Sequence, residues 1–201
     1  MSTTPTVVVK VGGSLLGWEE FPARLRDYLD RLGSERIVIV VGGGRAADFI
    51  RELDSVHAIG EKRSHGLALR ALDLTAHVVA ALVPGLAVVE RSDELPGAWE
   101  CGVVPVLSPR WFVENVDRHS TAPLPESWAV TTDSIAARAA VYLGAGELRL
   151  LKSVGPGELS SRSEAADAGY VDPAFAEVSA PLGRLTIVNL RGNPPTTHHM
   201  D

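Results

Sequence analysis

Near its amino terminus the chain reads Thr6-Val7-Val8-Val9-Lys10-Val11-Gly12-Gly13-Ser14. A run of apolar, mostly β-branched residues that ends at two glycines is typical of a buried strand that turns directly into a helix. The same pattern recurs at Ile37–Val41, which runs into Gly42, Gly43 and Gly44. Shorter apolar runs predict further strands at Leu86–Val89, Val103–Leu107, Leu148–Leu151 and Leu185–Leu190.

Helices are predicted between these strands, because apolar residues recur there at spacings of three and four. The predicted helices cover Phe21–Leu32, Ala46–Leu53, Ser64–Val83 and Asp133–Leu143. Thr131 or Thr132 is the expected cap of the last helix. Apolar strands without polar alternation, separated by helices, favour an α/β fold: a three-layer αβα sandwich with a mainly parallel central sheet.

The domain organisation expected from these elements is simple. We predict a single domain over residues 1–192, an irregular flap within Pro105–Pro125, and a loose carboxyl-terminal tail over residues 193–201. The tail contains His198 and His199, but a zinc site needs further ligands at suitable spacing. No metal site is therefore predicted.

Composition excludes several classes of protein. The 201 residues include 19 Lys and Arg against 25 Asp and Glu, a net charge of −6, which argues against a basic nucleic-acid-binding protein. The most apolar stretch, Val78–Val89, is interrupted by Pro84 and Gly85 and is shorter than the ~20 residues that cross a bilayer. The single cysteine, Cys101, cannot form an internal disulfide and suits a reducing compartment. We expect a cytoplasmic protein without nucleic-acid or membrane partners.

The two glycine clusters are the most informative feature. Glycine allows a close approach of backbone to ligand, and the helix that follows presents free N–H groups, so phosphate is the natural ligand. A P-loop is excluded because GxxxxGK[ST] is absent. Gly42 to Ala47 satisfy G-x-G-x-x-A, and Glu61 is suitably spaced for a ribose contact, so a dinucleotide site stays open. That interpretation leaves the lysine and glycines of the first turn unexplained.

Three segments, taken in order, resemble the signatures of the amino acid kinase superfamily. They are Val7–Leu15, Ile39–Gly44 and Val130–Ala136. The superfamily includes acetylglutamate, glutamate-5, aspartate, uridylate and isopentenyl phosphate kinases, and the resemblance extends from Val7 to Asn189. It implies an ATP-dependent kinase that uses ATP with Mg²⁺, acts on a small molecule and forms a homo-oligomer.

The resemblance also implies roles for individual residues. Lys10 would contact the transferring phosphate, and Asp133 would orient the active-site lysines, although a plain helix cap is the alternative for Asp133. The residues expected to bind the ATP phosphates and the transferred group are Gly12, Gly13, Ser14, Gly42, Gly43 and Gly44. Lys152 and Ser153 follow a strand at the place where the family holds its nucleotide. Lys152 is either a second positive charge at the phosphates or a solvated loop lysine.

The acceptor is inferred from what the chain lacks. Carboxylate-phosphorylating members carry a second catalytic lysine after a Gly-Gly-Met-type turn, and no such segment occurs between Gly155 and Pro181. The compact length resembles the branch that phosphorylates the phosphate monoester of an aminomethylfuran alcohol. Arg45 and His65 would bind that acceptor phosphate, with Asp48 available for an amino group, whereas His65 is otherwise a surface residue at a helix start. A carboxylate kinase and a non-catalytic nucleotide- or oxyanion-binding relative are the alternatives.

Overall fold

The computed structural model describes residues 5–33 and 36–201. These residues form a seven-stranded sheet with the strand order β3-β4-β2-β1-β5-β6-β7. The strands are β1 (Thr6–Val11), β2 (Arg36–Val41), β3 (Leu86–Val89), β4 (Val104–Leu107), β5 (Glu147–Lys152), β6 (Leu185–Asn189) and β7 (Thr196–Met200). Strands β1 to β6 are parallel, and β7 pairs antiparallel with β6. The prediction of a mainly parallel sheet is confirmed.

Helices cover both faces of the sheet. They are α1 (Phe21–Leu32), α2 (Gly44–His57), α3 (Glu61–Leu82), α4 (Leu95–Glu100), α5 (Pro109–Asn115), α6 (Thr132–Tyr142), α7 (Arg162–Asp167) and α8 (Phe175–Ser179). Helix α3 begins at Glu61 instead of the predicted Ser64. Ala58 in the left-handed conformation ends α2, and Gly60 with φ +95° precedes α3, so the two helices follow each other after a very short turn.

Alternate residues of the central strands enter two separate hydrophobic clusters. Val8 packs in a cluster with residues of α5, α6 and α8, whereas Val7 and Val9 pack in a cluster with residues of α1 and the end of α3. Burial of each such side chain contributes on the order of 1.5–3 kcal/mol. Because both faces of the sheet are covered, the strands show no polar alternation, and the three-layer architecture is confirmed.

The predicted loose tail is wrong. Residues 196–200 form β7, in register with β6 from Leu185 opposite Met200 to Asn189 opposite Thr196. The Met200 side chain is buried, and the Asp201 N–H donates to Ser160 O at 3.2 Å. The free hydrogen-bonding edge of β6 explains this result, because a parallel sheet that ends there leaves backbone groups for a returning strand.

The predicted irregular flap within Pro105–Pro125 is wrong for its first half, whereas residues 116–125 lie outside α-helices and strands. Its first half is strand β4 followed by helix α5. In its second half the buried Asp117 accepts a hydrogen bond from the Leu124 N–H at 2.8 Å and pairs with Arg138 at 3.4 Å. Asp117 therefore holds the second half of this segment against α6, which carries Arg138.

No helix within residues 5–33 and 36–201 has the length and apolar character needed to cross a membrane.

Candidate active site

The carboxyl ends of the central strands bring three charged side chains together. Lys10 lies near the end of β1 and Lys152 is the last residue of the neighbouring strand β5. Asp133 lies in the first turn of α6, where the Thr131 hydroxyl caps the helix by accepting the Asp133 N–H at 3.3 Å. Of the two threonines that the sequence offers as the cap of this helix, Thr131 is therefore the one that caps it.

Asp133 bridges the two lysines. Its Oδ1 lies 2.8 Å from Lys10 Nζ and its Oδ2 lies 2.8 Å from Lys152 Nζ. Lys152 Nζ also donates to the carbonyl oxygen of Tyr170 at 2.8 Å. The three charged side chains are 7–14% exposed, so the interpretation of Lys152 as a solvated loop lysine is wrong. The alternative of Asp133 as a plain cap also fails, because its carboxylate binds lysines and not the helix backbone.

Burial and charge set the protonation of this triad. Burial alone raises the pKa of Asp133, but the charges of Lys10 and Lys152 and their hydrogen bonds outweigh it and lower that pKa to about 2. Burial, followed by the charge of Lys10, lowers the pKa of Lys152, while Asp133 opposes both effects. Asp133 is therefore an anion at neutral pH and too weak a base to take a proton from a substrate.

The two glycine turns pack against each other, backbone to backbone. A Cβ on Gly13 would lie 2.1 Å from Gly44 N, and one on Gly44, which has φ +48°, would lie 2.5 Å from Gly13 O. Side chains at these positions would separate the turns. The glycines therefore hold the two turns in contact, a requirement that exists with or without a ligand.

The predicted phosphate cradle is smaller than expected. The N–H of Gly12 donates to Leu151 O and that of Gly42 to Val11 O, each at 2.8 Å, so neither N–H group is available to phosphate. They extend the strand pairing beyond the ends of β1 and β2. Other backbone N–H groups in the turns have no acceptor within residues 5–33 and 36–201, namely those of Gly13, Ser14, Gly43 and Gly44.

A cleft of about 760 Å³ opens over these turns. Its basic lining residues are Lys10, Arg45, Arg51 and Arg191. Arg45 and Arg51 lie on α2, where Arg51 pairs with Asp48 at 3.2 Å and its guanidinium carbon lies 4.7 Å from the centroid of the Trp128 ring. Arg45 is brought to the cleft as predicted, together with Asp48.

The sequence motifs do not point to two of the cleft arginines, Arg51 and Arg191. Arg51 follows Arg45 and Asp48 at a spacing of three along α2, so each of these side chains lies beside the next on the helix surface, which is the signal that could have found it. Arg191 follows the end of β6, donates to Ser14 O at 3.3 Å and stacks over Trp18, with 5.5 Å between the guanidinium carbon and the ring centroid. A basic residue just past the carboxyl end of a parallel strand is the corresponding signal for Arg191.

The remaining predicted residues divide into two groups. Ser14 and Ser153 are brought together, with 3.1 Å between their hydroxyl oxygens. His65 is not among the residues that line the cleft, and it is buried instead of lying at the surface. Burial lowers the pKa of His65, against the effect of a hydrogen bond with the backbone of Ser127. The earlier start of α3 places His65 in the second turn of that helix, facing the loop around Ser127.

The part of the chain that the structure describes holds no group of three or more His, Cys, Asp or Glu side chains placed to bind a metal ion.

The chain is similar in sequence to a curated protein. The curated relative [5-(aminomethyl)furan-3-yl]methyl phosphate kinase from Methanocaldococcus jannaschii is 29% identical over 139 residues, which are 68% of this chain and 59% of that protein. The chain thus matches less than two thirds of that relative's length.

Solved structures share the fold. The UMP kinase from Ureaplasma parvum superposes with a TM-score of 0.65 at 16% identity, covering 96% of this chain and 93% of that one. The aspartate kinase from Synechocystis gives a TM-score of 0.66 at 16% identity, covering 97% of this chain and 40% of that one. Residues 5–156 match the amino acid kinase family over most of the chain. Together with the ordered glycine turns and the buried aspartate between two strand-end lysines, this match establishes that the chain belongs to the amino acid kinase family.

Proposed function

We propose that this protein is an ATP-dependent phosphotransferase that transfers the γ-phosphoryl group of ATP to the phosphate of a small phosphate monoester. The observation that carries the proposal is the buried Lys10–Asp133–Lys152 bridge beside two glycine turns with free N–H groups. The name of the Methanocaldococcus jannaschii relative supplies the acceptor class, a phosphate monoester with an aminomethylfuran body.

The cleft residues suit the triphosphate of ATP. The free N–H groups of the turns supply fixed donors, and Lys10 supplies positive charge at the point where charge develops during transfer. Arg191, held by Ser14 O and Trp18, supplies a further cation from the other side of the cleft. When bound to the ATP phosphates, Mg²⁺ neutralises charge on the β and γ oxygens. It arrives with the nucleotide, and Lys10 is the residue of the triad that lines the cleft and can reach phosphate oxygens.

A phosphate acceptor also suits a site in which Asp133 cannot act as a base. An oxygen of the acceptor phosphate is already an anion, so it attacks the γ-phosphorus directly, while the bond from that phosphorus to the β–γ bridging oxygen breaks and ADP leaves. An alcohol acceptor would need a group to take its proton, and an aspartate with a pKa of about 2 cannot do so. Asp133 instead fixes the two ammonium groups in place.

The α2 wall of the cleft supports a phosphate acceptor with an amino group. Arg45 and Arg51 offer two guanidiniums, which match a dianionic phosphate better than a single carboxylate. Asp48 lies between them on the same helix and lines the cleft, where it can pair with an ammonium group. We assign the acceptor phosphate to the arginines and its amino group to Asp48.

Phosphorus NMR with Mg-ATP and aminomethylfuran-methyl phosphate tests this function. Wild type and Lys62→Ala, whose side chain is 84% exposed, should both produce a diphosphate signal. Lys10→Ala should lose that signal by at least about 10²-fold, because a charge at the transferring group is removed. Equal turnover by Lys10→Ala would refute the assignment of Lys10.

Two other outcomes identify the alternatives. An acyl phosphate trapped by hydroxylamine from a carboxylate acceptor would show a carboxylate kinase. ATP binding without turnover of any acceptor in a broad pool would show a binding-only relative.

The match to the amino acid kinase family supports a homo-oligomeric, cytoplasmic protein. We propose that it has one catalytic domain, which includes strand β7. Light scattering during size-exclusion chromatography measures the oligomeric state.

A further inference from the structure

Asp172 is a second buried carboxylate near the triad, and it contacts neither Lys10 nor Lys152 directly. Its side chain accepts four hydrogen bonds, all from the start of α6. Thr131 donates its N–H at 3.0 Å and its hydroxyl at 2.8 Å to Oδ2. Ser134 donates its N–H at 3.0 Å to Oδ2 and its hydroxyl at 2.5 Å to Oδ1.

These contacts hold Thr131 and Ser134, which lie before and after Asp133 in the chain. A helix start has N–H groups without partners inside the helix and attracts a negative charge, and Asp172 meets both needs at α6. It also holds the Thr131 hydroxyl that accepts the Asp133 N–H. The backbone on each side of Asp133 is therefore fixed by one side chain that is 5% exposed.

The segment that carries Asp172 also holds Lys152. The carbonyl of Tyr170 accepts a hydrogen bond from Lys152 Nζ at 2.8 Å, and the Tyr170 hydroxyl donates to Val154 O at 2.8 Å. Within residues 170–172, Tyr170 therefore contacts the end of β5, and Asp172 contacts the start of α6. Two buried lysines and two buried aspartates form a cluster whose formal charges cancel.

We propose that Asp172 is a positioning residue for phosphoryl transfer, which sets Asp133 at the place where it engages Lys10 and Lys152 together. The proposal rests on the proposed function. Its geometry is supported by electrostatics, because the charge of Asp172 raises the pKa of Lys152 against the lowering effects of burial and Lys10. Lys10 on β1, Asp133 on α6, and Tyr170 and Asp172 on the 170–172 segment are the titratable groups that surround Lys152.

The chain offers a matched control. Asp117 is 2% exposed and also accepts a backbone N–H, that of Leu124, but it does not line the cleft. Asp117→Asn therefore measures the cost of losing a buried carboxylate that has only a structural task.

Steady-state kinetics on the full chain distinguish a positioning role of Asp172 from a purely structural one. We expect Asp172→Asn to lower kcat by about 10²-fold, as for a displacement of catalytic groups by about 1 Å, with KM for ATP changed less than about threefold. Asp117→Asn should keep the wild-type kcat per folded molecule. If Asp172→Asn does not fold, Ser134→Ala removes one of the four hydrogen bonds and should still lower kcat at constant KM. A wild-type kcat in the folded variants would overturn the proposal.

A second readout does not depend on turnover. The chain has three lysines, Lys10, Lys62 and Lys152, so NMR of protein with isotope-labelled lysine resolves each side chain. Lys152 should titrate at lower pH in Asp172→Asn than in wild type or Asp117→Asn, because it loses a nearby negative charge. If this shift occurs while no acceptor is ever phosphorylated, the contact of Asp172 with the charges of the triad stands and the proposed activity fails. An unchanged Lys152 titration would overturn the positioning.

Discussion

Replacing Asp133 by Asn should destabilise the protein in a pH-dependent way. The pKa of Asp133 falls from the usual 3.8 to about 2, and at 1.36 kcal/mol per unit this difference corresponds to about 2 kcal/mol of stability. Asn also leaves Lys10 and Lys152 buried without their shared counter-charge. Removing one partner of a buried ion pair costs about 3–5 kcal/mol, so we expect a loss in that range at pH 7.

The sign of the pH dependence follows from the direction of the shift. A carboxyl with a lowered pKa stabilises the folded state above its unfolded pKa, near pH 4, and that contribution is lost as the pH falls towards 2. The gap in free energy of unfolding between wild type and Asp133→Asn should therefore narrow by about 2 kcal/mol from pH 5 to pH 2.

Urea denaturation followed by circular dichroism across this pH range measures the gap. Asp30→Asn is the control, since the Asp30–Arg26 pair is exposed and its loss should leave the denaturation midpoint close to that of wild type. A gap below about 1 kcal/mol at pH 7, or one that stays constant as the pH falls, would refute the electrostatic account of the triad.

Three further predictions concern the turns, the cleft and the sheet edge. Gly44→Ala should lower the free energy of unfolding, measured by thermal denaturation, by about 1–3 kcal/mol. The reason is that its Cβ would lie 2.5 Å from Gly13 O, at a φ of +48°. A Cβ on Gly17 has nothing within 4 Å, so Gly17→Ala should leave the free energy of unfolding unchanged. Arg191→Met should weaken ATP binding about tenfold by calorimetry, the effect of losing one charged hydrogen bond to phosphate. Deleting residues 196–201 should lower Tm by several degrees in calorimetry, since β6 becomes an edge and the burial of Met200 is lost.

The parallel strands were predictable from the sequence because both of their faces are buried. Continuous apolar runs gave β1 to β6 with ends shifted by about one residue, as for β2, which begins at Arg36 instead of Ile37. Strand β7 was missed because its sequence, Thr196–Met200, is largely polar and follows two prolines. It lies at the sheet edge with most of its side chains exposed, so what orders it is the edge of β6 and not a local pattern.

The site was predictable where it follows local motifs and hidden where it depends on tertiary contacts. Lys10 and Asp133 each belong to a short pattern at a strand end or a helix start. Asp172 reaches Ser134 across 38 positions of sequence, and nothing local distinguishes it from a surface aspartate. The position of His65 outside the cleft was hidden for a related reason, because the orientation of its side chain depends on where α3 begins.

The arrangement of charges divides the site into two parts with different tasks. The buried part (Lys10, Asp133, Lys152 and Asp172) carries formal charges that cancel, so it is stable without a ligand and has a fixed geometry. The cations at the cleft wall include Arg45 and Arg191, both exposed, and they meet the negative charge that a ligand brings. Exposed charges are screened by salt, whereas buried ones are screened much less. Added salt should therefore raise the KM for ATP and leave kcat nearly constant, and a salt effect of equal size on kcat would contradict this division.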